Sequence, residues 1–331
     1  MTENLKIVLR KRPDGLPRRS DFDFVREPVP EPAEGEFLIR HEYVGLSPAA
    51  RIRMDDRPSY APPLKLGEVV YAGIAGEVVK SRHPDFRVGD KVNSFGGWQA
   101  WSISDGRGAE VWDTAIGTLP NSLGLFGLSG NTAYVGLMGI GDPKPGETVV
   151  VSAASGGVGS LVCQMARIKG CRVVGIAGGP EKCGFVTGVL GADACIDHRS
   201  PDFAAELAAA CPDGVDIDFE NVGGPIRDAV LDLMNRHGRV VLCGLIAEYN
   251  ALATSTGPSW FRILHKCLKV QGFLLREFPE LRQPFLRDMS EWNRSGRIVY
   301  REDIRDGLDR TPEVFADMLQ GRNFGKTIIR V

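Results

Sequence analysis

Hydrophobic and polar positions fall into two textures along this 331-residue chain. Up to about residue 120 the apolar runs are short, alternate with polar residues and are separated by Pro and Gly. FLIRHEYVGL (37–46) and GIAGEVVKS (73–81) read as strands, and HPDFRVGDKV (83–92) as a turn leading into another. Short strands at this spacing predict a compact β-barrel or sandwich. After about residue 122 the pattern changes. ETVVVSAA (147–154) is a continuous apolar strand, as expected where helices cover both faces. A helical pattern follows at 158–170, then strand 171–178, helix 180–191, strand 192–198 and helix 201–211. The alternation continues with strand 215–222, helix 224–238, strand 239–246, helix 257–267 and strand LKVQGFLL (268–275). Six strands joined by five crossovers are the content of a full doubly wound dinucleotide domain. The tail ends in another strand, GKTIIRV, which is expected to return to the first domain. The expectation is a discontinuous first domain, 1–122 plus 295–331, around a nucleotide-binding domain, 123–294.

Composition narrows the function classes. The formal charge is −2 and the basic residues are scattered, so no basic stripe points to nucleic acid or anionic lipid. No apolar run approaches the ~20 residues that span a bilayer. The N-terminus lacks an apolar core of signal-peptide length, which makes the cytoplasm the expected location. Seven cysteines, all between residues 163 and 267 and none in a C-x-x-C, suit reduced thiols better than disulfides or a zinc site.

The candidate chemistry starts at Ala154-Ser155-Gly156-Gly157-Val158-Gly159, which aligns to G-x-G-x-x-G with Ala in place of the first glycine. Its setting between a strand and a helix makes it a candidate pyrophosphate cradle, with the N–H groups of the helix start facing the phosphates. About twenty residues on, where an NAD enzyme usually carries Asp or Glu, stand Ala177, Gly178 and Gly179. No carboxylate follows until Glu181. Lys182 and Arg199 lie nearby and suit the 2′-phosphate of NADP; Lys182 also has an ordinary reading, a solvated lysine at a helix start. GRNFGKT (321–327) has three spacers where a P-loop needs four, and is set aside.

With SYAPPLKLGEVV (59–70), GNTAYVGL (130–137), DPKPGETVVVSAASGGVGS (142–160), DFENVGG (218–224), VVLCGLIAEYN (240–250), VQGF (270–273) and NFGK (323–326) in this order, the chain resembles the zinc-independent medium-chain dehydrogenase/reductases. The similarity is to their leukotriene B4 dehydrogenase, prostaglandin reductase and alkenal reductase branch. It implies an α/β fold, a doubly wound Rossmann domain with a GroES-like β-rich catalytic domain, and NADP(H) as cofactor. It also implies a homodimer joined through edge strands; LKVQGFLL would otherwise leave an exposed edge. The cysteine-free stretch 1–162 agrees with a metal-independent enzyme, and without a Lewis acid the natural reaction is reduction of an activated C=C.

The resemblance implies hydride delivery to the β-carbon of an α,β-unsaturated aldehyde or ketone, with protonation at the α-carbon. It places Tyr249 at the nicotinamide ribose as the catalytic donor; a half-buried tyrosine that merely satisfies its own hydroxyl is the alternative. Cofactor contacts are implied at Thr132, Ser155, Gly156, Gly157, Val158, Gly159, Gly178, Lys182, His198, Arg199, Asn221, Cys243, Gly244, Leu245, Ile246, Phe273, Leu274, Leu275, Asn323 and Gly325. Asn323 has a second reading as a turn residue. The substrate side is assigned to Ala49, Arg51 and Tyr60. Two departures stand out: Ala49 and His198 occupy positions where relatives often carry tyrosine. Ala49 predicts a roomier pocket. His198, unless an idle loop residue, predicts that NADPH affinity weakens as pH rises through its pKa. Competing functions are an NADPH:quinone oxidoreductase and an inactive nucleotide-binding relative.

Overall fold

The structure, a computed structural model, describes residues 3–251 and 257–331. The chain divides into two compact units, Met1–Gly127 with Glu302–Val331, and Leu128–Arg301. The boundaries expected from sequence fall five residues earlier at the first crossing and seven earlier at the second (127 against 122, 301 against 294).

The first unit is built on strands β1 (Glu3–Leu9), β2 (Phe22–Pro28), β3 (Phe37–Gly45), β4 (Gly73–Ser81), β5 (Lys91–Phe95), β6 (Trp101–Ser104) and β7 (Glu110–Val111), with a short helix α1 (Ala49–Arg53). β3 and β4 pair antiparallel along their length, and their inward positions, among them Phe37, Ile39, Val44, Ile74 and Val78, are fully buried. Leu38 and Ala75 between them are buried too, so this pair is covered on part of both faces.

The second unit opens with α2 (Leu128–Tyr134) and then alternates: β8 (Thr148–Val151), α3 (Gly159–Ile168), β9 (Arg172–Ala177), α4 (Pro180–Gly188), β10 (Ala194–Asp197), α5 (Phe203–Ala210), β11 (Val215–Glu220), α6 (Gly224–Leu233), β12 (Met234–Leu242), α7 (Trp260–Lys266), β13 (Lys269–Gly272) and α8 (Arg282–Arg294). The strands are parallel in the order β10-β9-β8-β11-β12-β13, the doubly wound order with its reversal between β8 and β11. α3 is buried from Gly159 to Ala166. The long polar side chain within that buried stretch, Gln164, is satisfied by the Ser160 carbonyl and by both backbone groups of Val299.

The chain then returns to the first unit with β14 (Glu302–Asp306), α9 (Thr311–Leu319) and β15 (Lys326–Arg330). β15 pairs antiparallel with β3 and parallel with β14, completing a mixed seven-stranded sheet.

Two elements differ from the sequence reading. The helix expected to run to 238 ends at Leu233, and β12 begins at Met234 rather than 239. The Asn235 amide donates to Asp213 O and Asp216 Oδ1, which holds this segment alongside β11 against its helical periodicity. β12 also stops at Leu242, leaving Cys243–Ile246 as loop, because the N–H groups of Cys243 and Gly244 both turn to the Glu220 carbonyl.

Candidate active site

β8 ends at Val151 because the chain turns at once: Ala153 takes a left-handed backbone with φ of 50°. The turn brings the helix start hard against the strand end. A Cβ on Gly159 would stand 2.3 Å from the Ala153 carbonyl oxygen, so glycine is required there. Ala154, in place of the first glycine of the fingerprint, is fully buried; a Cβ on Gly175 of β9 would lie 2.9 Å from its methyl. The missing glycine is thus compensated by one on the neighbouring strand. Ser155 is buried, and Ser160 and Leu161 at the start of α3 give their N–H groups to Gly156 O and Val158 O, which tightens the turn onto the helix. This backbone fits a pyrophosphate: a cradle that a Cβ would fill, at a helix N-terminus on the switch point of the sheet.

The second half of the candidate cofactor site forms after β9 and β10. His198 Nε2 lies 2.9 Å, and Arg199 Nε and Nη2 lie 3.2 Å, from where a Cβ on Gly178 would stand; Arg199 Nη1 is 3.5 Å from that of Gly179. Both side chains therefore lie over the glycine pair. Burial, then the Arg199 charge, lowers the His198 pKa below its ordinary value, and the Lys182 charge adds to this. Lys182, His198 and Arg199 form one electropositive cluster. The sequence reading of a carboxylate-free pocket needs correction: Asp197 stands beside it. Its Oδ1 accepts the N–H groups of Gly179 (2.9 Å) and Arg199 (3.0 Å), which hold its pKa below the usual carboxylate value. It fixes the loop rather than taking up a ribose.

Carboxyl ends of β11 and β12 supply the remaining wall. The Asn221 amide donates to the Ser152 carbonyl and its N–H to Ser152 Oγ, both at 2.7 Å. Glu220, fully buried, accepts the Ser152 hydroxyl at 2.7 Å and the N–H groups of Val222 (2.6 Å) and Gly223 (3.1 Å) on Oε1. Cys243 is no nucleophile: burial, with the Glu220 charge, pushes its thiol up to about 12. The loop Cys243–Asn250 is held by Ile246 N–H on Asn221 O and Ala247 N–H on Val222 O. Within it the Tyr249 hydroxyl accepts the Leu245 N–H at 3.0 Å and sits 3.2 Å from where a Cβ on Gly244 would stand. Phe273 and Leu274 follow β13 as loop and Leu275 opens a 3₁₀ turn, so the strand expected over 268–275 is only four residues long. The Phe273 ring packs near Gly136, and Thr132 is half-buried on α2.

In the first unit Arg51 takes a different place from the one expected. Arg51, expected to face substrate, is buried; its Nε and Nη2 donate to the Gly15 carbonyl and Nη1 pairs with Asp55 at 2.6 Å. An arginine in an apolar setting must spend its donors on such acceptors, so Arg51 clamps α1 to the loop at Gly15. Ala49 opens α1 and is partly exposed. Tyr60 is exposed, and partial burial outweighs the opposing Arg53 charge in raising its pKa. The Asn323 amide donates to Gly325 O at 2.9 Å, and Gly325 has φ of 95°, the geometry of a turn.

The sequence reading missed Ser152, Asp197, Glu220, Arg227 and Glu248. Their signal was faint but present: VDIDFE places Asp216, Asp218 and Glu220 on one face of an otherwise apolar strand. Among the described residues no group of three His, Cys, Asp or Glu stands close enough to hold a metal ion, and no helix is long and apolar enough to cross a membrane.

Two protein families match the chain: N-terminal domain of oxidoreductase over residues 6–111 and zinc-binding dehydrogenase over 157–291. The chain is 45% identical to the NADPH-dependent curcumin reductase of Escherichia coli, over 99% of this chain and 97% of that one. It is 34% identical to the NADP⁺-dependent 2-alkenal reductase of tobacco, over 99% and 97%. The crystal structure of CurA from Vibrio vulnificus in complex with NADPH superposes with a TM-score of 0.94 at 43% identity, covering 99% of both chains.

Proposed function

The chain belongs to the zinc-independent branch of the medium-chain dehydrogenase/reductases, and from that premise we propose that it is an NADPH-dependent reductase of the C=C bond of α,β-unsaturated aldehydes and ketones. The observation that carries the cofactor reading is the pair of sites on the second unit: the glycine cradle before α3, and His198 and Arg199 over Gly178 and Gly179 with the Lys182 charge acting on His198.

In this reading the backbone of the glycine turn leading into α3 binds the pyrophosphate, and Lys182, Arg199 and His198 bind the 2′-phosphate. When bound, NADPH supplies a hydride to the enone β-carbon. The carbonyl oxygen of the substrate then gains charge and needs a donor. Tyr249 is assigned that role: a phenol whose oxygen accepts a backbone N–H is a stronger donor through its own proton. One preorganised donor of this kind contributes about 2.7–4 kcal/mol. Tyr249→Phe is expected to lower kcat on an alkenal by about 100-fold or more, with Kd for NADPH changed little. Steady-state turnover of a 2-alkenal and a small quinone with NADPH tests the acceptor; turnover of the quinone alone would make the chain a quinone oxidoreductase instead. Ala49, in place of tyrosine, supports bulky enones as the substrate class. A series of enones of rising size should then show kcat/KM holding or rising with size.

We also propose a homodimer built on β13. This strand is the edge of the six-stranded sheet, and the preceding helix α7 buries none of its residues. Trp260, Phe261 and Leu264 are 80%, 69% and 72% exposed, an apolar face that soluble proteins cover. A second copy covers both strand edge and helix. Light scattering reads the mass, and a monomer would refute it. The seven unpaired thiols support a cytoplasmic location.

A further inference from the structure

The three loops that leave the carboxyl ends of β8, β11 and β12 converge on one residue, Glu220. Its Oε1 accepts the Ser152 hydroxyl from the first loop and the Val222 and Gly223 N–H groups from the second. Its main-chain carbonyl accepts the N–H groups of Cys243 (2.9 Å) and Gly244 (3.1 Å) from the third. The Ser152 hydroxyl, having donated to Glu220, accepts the Asn221 N–H and so closes the ring. Strand register places these atoms at the reversal point of the sheet, between β8 and β11.

A carboxyl group here is not explained by packing. Glu220 is fully buried in a strand whose neighbours are apolar, and Oε2 has no hydrogen-bond partner among the described residues. Such a group is costly to bury, and an apolar side chain of like size would serve the core as well. What it alone provides is a single acceptor for a hydroxyl and two backbone N–H groups that lie beyond the end of the sheet ladder. A second carboxylate extends the arrangement: Glu248 accepts Arg227 Nη1 at 2.8 Å and the Gly224 N–H at 3.2 Å. Asn221, Val222, Gly223 and Gly224 therefore each give their N–H to an internal acceptor. These N–H groups at the start of α6 are therefore not offered to an outside anion.

We propose that Glu220 is a positioning residue for NADPH: it fixes the glycine loop after β8 against the loops after β11 and β12, and so sets cofactor affinity rather than the rate of the chemical step. This rests on the reading that these loops hold NADPH. Glu220→Ala leaves a hydroxyl and two backbone N–H groups without their acceptor. Kd for NADPH, read by nicotinamide fluorescence, and KM for NADPH are expected to rise about tenfold or more, while kcat at saturating NADPH and KM for the enone stay within about twofold. Glu220→Gln keeps an accepting oxygen and is expected to hold Kd within about threefold of wild type. A residue that only stabilises the fold would lower the melting temperature without this split. Unchanged Kd in Glu220→Ala, or a Glu220→Gln as weak as Glu220→Ala, overturns the proposal.

Gly159→Ala separates the two layers. If it also leaves Kd unchanged, the loop is not the cofactor site; if it weakens binding while Glu220→Ala does not, only the role of Glu220 fails. Should Glu220→Ala not fold, Ser152→Ala must raise Kd by about threefold or more while Glu220→Gln does not, and the reverse order overturns it.

Discussion

Asp218 lies two residues before Glu220 on β11 and is fully buried, level with Val150 of β8 and Val240 of β12. Those valines belong to an apolar cluster with Val174, Val230 and Leu231, and neither Asp218 oxygen has a hydrogen-bond partner among the described residues. Burial, reinforced by the Glu220 charge and opposed by Arg227, raises its pKa well above the usual carboxylate value. The folded protein therefore keeps a proton that the unfolded chain releases above about pH 3.9. Because the folded-state pKa is the higher one, this group's stabilisation is complete below the unfolded pKa and is lost as pH rises toward the folded pKa. The slope in that window is about 1.4 kcal/mol per pH unit. Asp218→Asn removes the proton from the balance but adds two buried amide hydrogens, a pH-independent cost of about 1–3 kcal/mol. The variant should be the less stable protein near pH 4.5 and close the gap as pH rises. The gap in melting temperature should shrink by about 3–6 °C per pH unit for a domain of this size. Urea unfolding from pH 4.5 to 7 measures it directly, since titrating groups that do not interact with Asp218 cancel in the difference. Parallel stability curves for the two proteins would show that Asp218 ionises in the fold as it does in the unfolded chain, and the reasoning would fail.

Lys182→Ala and Arg199→Ala should each cut kcat/KM with NADPH about tenfold to hundredfold while leaving that with NADH nearly unchanged; an unchanged ratio removes that residue from the 2′-phosphate site. His198 is held below its ordinary pKa by burial and by Arg199, so it is mostly neutral at pH 7 in the free protein, and a bound phosphate favours its protonation. NADPH affinity should accordingly fall as pH rises through a window that begins below pH 6.5. His198→Gln should flatten that contribution, and identical profiles would exclude the residue. Gly159→Ala forces a Cβ to 2.3 Å from the Ala153 oxygen, so the loop must shift and NADPH binding should weaken about tenfold or more by fluorescence titration. Trp260→Lys on α7 should yield a monomer by light scattering, with the second unit still folded.

Hydrophobic period and glycine placement were enough to read the order of strands and helices in the second unit and the tight glycine turn at 154–159, since each depends on residues close in sequence. Element ends were less legible. The helix after Gly224 kept its apolar period past Leu233, and only the bonds from Asn235 to Asp213 and Asp216 turned Met234 onward into strand. Roles set by distant partners were beyond the sequence altogether. Arg51 looked like a substrate contact, yet its guanidinium is consumed by a carbonyl at Gly15, 36 residues away. Asp197 looked like the end of a strand, yet it locks the turn at Gly179. Glu220 and Ser152 are 68 residues apart and meet because β8 and β11 are neighbours at the point where strand order reverses. Local periodicity and turn chemistry specify which element a residue joins. Which polar groups a buried side chain must satisfy is fixed only when the sheet brings separate segments together and removes water from between them.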